Sequence, residues 1–341
     1  MSVLLDEIFE QPAALTRALN ANKDTIAALI SEIKRRNIRF VVLAARGTSD
    51  NAAIYGKYLL EITCGIPVGL AAPSVHTLYE AEVDYSGALV LGVSQSGAGT
   101  DINTVISHAR AKGALTAAIT NTADSDLAGI AEYVLSCDAG VEKAVAATKT
   151  YTTTLALFAQ LASLWSGNPA LTENLPHIAE YASKTLETES RIRPLALTLL
   201  HAERILSVAR GLHLCTAIES ALKIAETTYT ATQSFSSADL LHGPIASVAV
   251  RTPCLLFLPN GKTVAMMSEV AEKLEAKGAR VLRLSADASG ENSLPLTDPG
   301  TELLSPIVDI IPSQLLAYHL TVARGLDPDN PRGLSKVTVT K

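Results

Sequence analysis

Two short stretches of this 341-residue chain could hold a phosphate. Gly47-Thr48-Ser49 ends one apolar run, and Ser94-Gln95-Ser96-Gly97-Ala98-Gly99-Thr100 ends another. Glycine lets a backbone approach a ligand closely. Hydroxyls and unpaired helix N–H groups donate to an anion, and the start of a helix favours negative charge. Neither loop carries a lysine, so a small phosphate monoester suits them better than a triphosphate. Helix caps and turns use the same residue types; the presence of both loops in one half of the chain points to phosphate. A second set is Glu219, Lys223 and Glu226, spaced i, i+4, i+7 on a helix expected over Leu214–Thr230. Such a triplet is a carboxylate base beside a lysine, or, more commonly, a solvated salt-bridge face. His242 sits in the tight loop Asp239-Leu240-Leu241-His242-Gly243-Pro244, where a lone histidine is usually structural. Lys336, near the C-terminus, is by itself one more surface lysine.

These residues need elements to position them. The apolar runs Phe40–Ala45, Ala88–Val93 and Leu115–Ile119 each stop at a polar or glycine-rich turn. A segment with helical spacing follows each one. The same order returns in Ile205–Ala209, Cys254–Leu258 and Val281–Leu284. Short buried strands alternating with helices predict a parallel sheet flanked by helices. Ala45-Arg46-Gly47 returns as Ala209-Arg210-Gly211, and Ala111-Lys112-Gly113-Ala114 as Ala276-Lys277-Gly278-Ala279, at offsets of 164 and 165 residues. Two matches at nearly one offset predict a duplicated α/β domain. The second half lacks the hydroxyl loops, so the halves are expected to differ in role. The expected organisation is an N-terminal helical segment (1–36), a first domain that binds phosphate (37–165) and a helical linker (166–200). A second domain follows with the catalytic helix and histidine loop (201–325), then a Pro/Gly-rich tail carrying Lys336 (326–341).

Composition narrows the function further. A formal net charge of −6 argues against non-specific nucleic-acid binding, which needs a basic stripe. No apolar run is long enough for a membrane helix, and the start MSVLLDEIFEQP has no basic region before an apolar stretch. The four cysteines (Cys64, Cys137, Cys215 and Cys254) form no CxxC pair, so neither zinc nor a disulfide framework is expected. Reduced thiols and a cytoplasmic location are the expectation.

Several stretches, in order, resemble the sugar isomerase (SIS) domain family. They are most similar to the isomerase portion of glutamine–fructose-6-phosphate amidotransferases and to SIS-type glucosamine-6-phosphate deaminases. Glu7-Ile8-Phe9-Glu10-Gln11-Pro12 resembles the family's E-I-x-E-Q-P, and Glu142–Lys149 (EKAVAATK) resembles E-x-x-V-A-S-T-K. Glu219–Glu226 (ESALKIAE) resembles E-G-A-L-K-L-K-E, and Leu241–Pro244 resembles K-H-G-P. Gln314–His319 and Pro331–Lys336 resemble the closing motifs. The family's S-Q-S-G-E-T-A-D stands here as S-Q-S-G-A-G-T-D. Ala98 thus replaces a glutamate and Gly99 a phosphate-binding threonine, with Thr100 one place later. Ala147 replaces a sugar-contacting serine.

The resemblance implies two tandem SIS domains, each a three-layer αβα unit. It implies that Gly47, Thr48, Ser49, Ser94, Gln95, Ser96, Gly99 and Thr100 serve the sugar phosphate, and that Glu142, Val145, Ala147 and Ser335 line the sugar. Glu226 would move a proton between C1 and C2, with Lys223 beside it. His242 would assist ring opening from a neighbouring subunit, making the protein a homodimer. Lys336 would form a Schiff base with the open-chain ketose. No metal, nucleotide or redox cofactor is called for. The segment before the first strand is too short for a glutaminase domain, so the expected direction is degradative: glucosamine 6-phosphate to fructose 6-phosphate and ammonia. Another phosphosugar isomerase, a fructosamine-6-phosphate deglycase and a non-catalytic sugar-phosphate sensor are the alternatives.

Overall fold

The structure is a computed structural model that describes residues 2–288 and 290–336. It contains two five-stranded sheets, every neighbouring pair parallel. The first is built from β1 (Phe40–Ala44), β2 (Val68–Leu70), β3 (Ala88–Val93), β4 (Leu115–Thr120) and β5 (Tyr133–Ser136). The second is built from β6 (Arg204–Ala209), β7 (Ala231–Ser236), β8 (Pro253–Leu258), β9 (Arg280–Ser285) and β10 (Ser293–Pro295). The orders are β2-β1-β3-β4-β5 and β10-β9-β8-β6-β7, which is one topology read from opposite edges. β6 starts at Arg204 against Phe40 for β1, and β8 and β9 at Pro253 and Arg280 against Ala88 and Leu115. The offset predicted from the motifs is therefore the offset of the repeat.

The central strands form because they are short apolar runs that can be covered on both faces. Every residue of β3 and β4 is buried. Val90 and Ala118 pack with Ile102, Ile106 and Leu127 in the first sheet's core; Leu206, Val208 and Leu256 pack with Met267 and Leu274 in the second. The edge strands β2, β5, β7 and β10 were not anticipated. β2 and β10 have only three residues each, and β7 (ATQSFS) is mostly polar.

By contact, the described residues divide into two units that do not follow chain order. One comprises Ala13–Glu142 and Lys149–Leu175, with Ser335 and Lys336. The other comprises the residues up to Pro12, then Lys143–Thr148 and Pro176–Leu334. In the first unit, the Thr48–Cys64 helix lies against the Lys149–Ser166 helix. The latter is buried from Lys149 to Ser163 despite its run of threonines. Each of Thr152, Thr153 and Thr154 returns its hydroxyl to a carbonyl three or four residues back, which satisfies the buried oxygen. Among the described residues no helix is long and apolar enough to cross a membrane.

The contact between those two helices turns on Gly56. A Cβ there would lie 2.6 Å from Cε1 of the buried Phe158 ring. Gly56→Ala gains about 1 kcal/mol of helix propensity but forces a rigid ring to move, at about 1–3 kcal/mol. The expected result is a net loss of stability in chemical denaturation. A more stable Gly56→Ala protein would show that the two helices are not in this close contact.

Candidate active site

In the first unit, β1 and β3 are neighbours, with Ala44 paired to Gly92. Their carboxyl ends therefore present both hydroxyl loops side by side, each leading into a helix, Thr48–Cys64 and Thr100–Ala111. Ser94 Oγ accepts the Gly97 N–H at 3.2 Å, and Ser96 Oγ accepts the Ala98 N–H at 3.3 Å. Each hydroxyl keeps its own proton to donate to a ligand. Gly97 is required as glycine: its φ is +62°, and a Cβ would lie 2.1 Å from Ser125 Oγ. Its carbonyl accepts from the Leu127 N–H and from Asn103 Nδ2, which fastens the loop from behind. Gly99 is the cap residue and Thr100 the exposed first residue of the following helix.

Sequence reasoning missed the pair that ties the two loops together. Arg46 Nε donates to the buried Asp101 carboxylate at 2.8 Å, one residue from each loop. It adds a positive charge where the phosphate chemistry was expected to need none. The sequence pattern hinted at Asp101, since the family stretch also ends in aspartate.

Glu142 and Lys336, distant in sequence, meet in this same unit. The buried Glu142 carboxylate accepts Lys336 Nζ at 2.9 Å. It also caps the Lys149–Ser166 helix through the Thr150 N–H and hydroxyl, at 3.1 and 2.7 Å. Lys336 is thus an ion-paired group, and reading it as an ordinary surface lysine is wrong. Lys149 is itself buried and donates to the Val141 carbonyl at 2.7 Å, which fixes the residue before Glu142. Ser335 beside it is exposed.

In the second unit the helix bearing Glu219, Lys223 and Glu226 runs Leu214–Thr228, two residues shorter than expected, because Tyr229 turns left-handed and stops it. Lys223 Nζ lies 2.6 Å from Glu226 and 3.4 Å from Glu219. Glu219 is 0% and Lys223 2% exposed, so this is not a solvated salt-bridge face. Glu226 is partly exposed and carries the accessible carboxylate. His242 ends the short Ser237–Leu241 helix. It is exposed, and among the described residues its imidazole has no hydrogen-bond or ion-pair partner, so it does not join the cluster within this unit.

The loop bearing Val145 and Ala147 belongs to this second unit, where two residues of the N-terminal motif hold it. The Glu7 carboxylate accepts the Lys143 and Ala144 N–H groups at 2.5 and 3.2 Å. Gln11 Nε2 donates to Gln314 Oε1 at 2.9 Å, and Gln314 reaches the Thr148 carbonyl at 3.5 Å. The signal was present in the E-I-x-E-Q-P and Q-L-L-A-Y-H stretches, but nothing in either stretch says which loop it grips.

Two matches to the SIS domain model cover residues 34–164 and 198–324. The chain belongs to the SIS domain family. It is similar to glutamine–fructose-6-phosphate aminotransferase [isomerizing] of Thermococcus kodakarensis, at 35% identity over 98% of this chain and 58% of that protein. The chain thus spans a little over half the length of such curated relatives. Among solved structures, a Silicibacter pomeroyi DSS-3 protein assigned as a phosphosugar isomerase superposes with a TM-score of 0.89. Its identity is 31%, covering 96% of this chain and all of that one. The C-terminal domain of glucosamine-fructose-6-phosphate aminotransferase from Francisella tularensis superposes with a TM-score of 0.86. Its identity is 25%, covering 97% and 98% of the two chains.

The loop geometry of this SIS domain sets a test. Ser96→Ala removes one donor to a charged group, worth about 1.5–3 kcal/mol, so calorimetry should find sugar-phosphate affinity at least tenfold weaker. Gly97→Ala should destabilise the loop itself and weaken binding further. Unchanged affinity in Ser96→Ala would leave that hydroxyl with a capping role alone.

Proposed function

We propose that the chain is a phosphosugar isomerase that deaminates glucosamine 6-phosphate to fructose 6-phosphate and ammonia. The Glu219–Lys223–Glu226 cluster carries this reading. A partly exposed carboxylate fixed 2.6 Å from a buried lysine is suited to carrying a proton between neighbouring carbons. Membership of the SIS family and the similarity to an isomerizing aminotransferase support it.

In this reading Thr48, Ser49, Ser94, Gln95 and Ser96 hold the phosphate, with Arg46 at the mouth of the loops. Glu142, Val145, Ala147 and Ser335 line the sugar. His242 helps the ring open. Glu226 then takes the C2 proton of the open-chain aldehyde and returns it to C1, leaving a ketimine at C2. Water adds to C2 and the C–N bond breaks, so ammonia leaves and the ketone oxygen comes from water. Lys336 offers a second route to the same products. Its amine adds at C2 and displaces ammonia, and water then hydrolyses the lysine imine. Lysine attacks only as the free amine; Glu142, 2.9 Å away, is the carboxylate in reach of the departing proton. Water is the only co-substrate on either route.

Ammonia release from a panel of hexosamine phosphates tests the reaction. Wild-type protein should form ketose and ammonia in equal amounts from glucosamine 6-phosphate. Glu226→Gln should lower kcat by about 10²-fold or more while binding changes little, because the amide has the same shape. Lys336→Ala should slow turnover less, since water can attack the ketimine directly. Tight binding with neither product formed would replace the enzyme by a sugar-phosphate sensor.

His242 sets a separate test of assembly. Its exposed imidazole suits a group delivered to the site of a second copy, with a homodimer as the active unit. Mixed dimers of Glu226→Gln and His242→Ala chains should then regain activity, because one site per dimer keeps both groups. No recovery in verified mixed dimers would put both groups in one subunit's site.

A further inference from the structure

We propose that Tyr229 is a positioning residue for Lys336 and acts through Arg332. Tyr229 follows the last residue of the catalytic helix and adopts φ 58° and ψ 21°, the left-handed region. Glycine is the usual residue at such a helix end, because a side chain there costs conformational energy. A tyrosine kept in that conformation points to a use for its side chain. The use is visible in the tail. The Arg332 guanidinium lies 4.2 Å from the centre of the Tyr229 ring, and the Arg332 N–H donates to the Tyr229 hydroxyl at 2.7 Å. Ring face and hydroxyl therefore grip the same tail residue, one by cation–π attraction and one by a hydrogen bond.

The position of this clasp along the chain gives it its role. Upstream, the tail is fixed at Asp329, whose carboxylate accepts from Ser2 Oγ, the Val3 N–H and the Leu4 N–H at 2.7 to 3.0 Å. Residues 332–335 are exposed, so packing does little to order them. Lys336 lies only four residues beyond the clasp along the chain. Tyr229 is also three residues past Glu226. The clasp thus fixes where the last stretch of tail, which bears the proposed amine, begins.

The inference rests on the reading that Lys336 takes part in the reaction, so its test has a readout free of that reading. Hydrogen exchange of residues 330–336 in the whole chain, without substrate, reports the clasp. Tyr229→Gly should raise exchange there by about tenfold, as expected for losing a cation–π contact together with a hydrogen bond. Its melting temperature should hold or rise, because the left-handed residue is relieved. Arg332→Ala and Tyr229→Phe, each losing half of the clasp, should fall between, and they serve if the glycine variant does not fold. Turnover of glucosamine 6-phosphate should drop in the same order, in kcat rather than KM. In a Lys336→Ala background, Tyr229→Gly should cost nothing more. Unchanged exchange in all three variants overturns the proposal, as does an equal loss of turnover with and without Lys336. A Lys336→Ala protein of normal turnover overturns the reading of the reaction, while the exchange data still decide the clasp.

Discussion

The site is organised around one buried ammonium group. Lys223 lies between Glu219 and Glu226, two carboxylates on its own helix, and it is almost fully out of water. Removing one member of such a buried set leaves an uncompensated charge, typically at about 3–5 kcal/mol. The helix must therefore present this face inward in one register. It is braced for that by contact with β6, β7 and the Ile311–Ala323 helix. That brace reaches further, because Gln314 on the Ile311–Ala323 helix also receives Gln11 and reaches the Thr148 carbonyl. The ion cluster, the loop bearing Val145 and Ala147 and the N-terminal motif are thus parts of one packed arrangement within the second unit.

The two repeats differ at the loop that follows their third strand. In the first unit the loop after β3 bonds to itself, Ser94 and Ser96 accepting the Gly97 and Ala98 N–H groups. In the second, the corresponding loop after β8 is occupied by the chain's own acids. The Lys262 N–H donates to Glu302 Oε2 at 2.7 Å, and Asn260 Nδ2 donates to Asp298 at 3.2 Å. There a carboxylate meets a backbone N–H group ahead of a helix. The sequence could not reveal this difference, because Glu302 is about forty residues from the loop it meets.

What could be read from the sequence follows from how local each signal is. Central strands such as β3 and β4 are continuous apolar runs, and their pattern alone places them. Edge strands such as β2 and β10 carry three residues and no such pattern. The Glu219–Lys223–Glu226 spacing was legible as a helix face, but its burial was not, because burial depends on what packs against that face. Arg46 with Asp101, and Glu142 with Lys336, lie 55 and 194 residues apart. Such pairs exist only once the topology has brought strand ends and tail together. The hydroxyl loops needed no such help, since each is a strand end, a turn and a helix start in a single stretch.

Residues near both ends of the described chain are held by the same logic of unsatisfied backbone groups. The first helix, Val3–Phe9, has no side-chain cap of its own; Asp329 in the tail supplies one. The turn of that helix carrying Glu7 then supplies acceptors to the N–H groups of Lys143 and Ala144, which a loop rich in alanine cannot satisfy from its own side chains. Arg324 closes the other side, donating to the Thr228, Leu199 and Ala202 carbonyls and to the Thr230 hydroxyl around the end of the catalytic helix. Most of these links meet a partly buried backbone group, and such a group left buried and unpaired costs about 1–3 kcal/mol. The tail is therefore held at Asp329, and Pro331 beyond it is buried. Arg332 to Ser335 are exposed, and there the chain meets the Tyr229 side chain, at the end of the helix that bears Glu226, through the ring face and the hydroxyl.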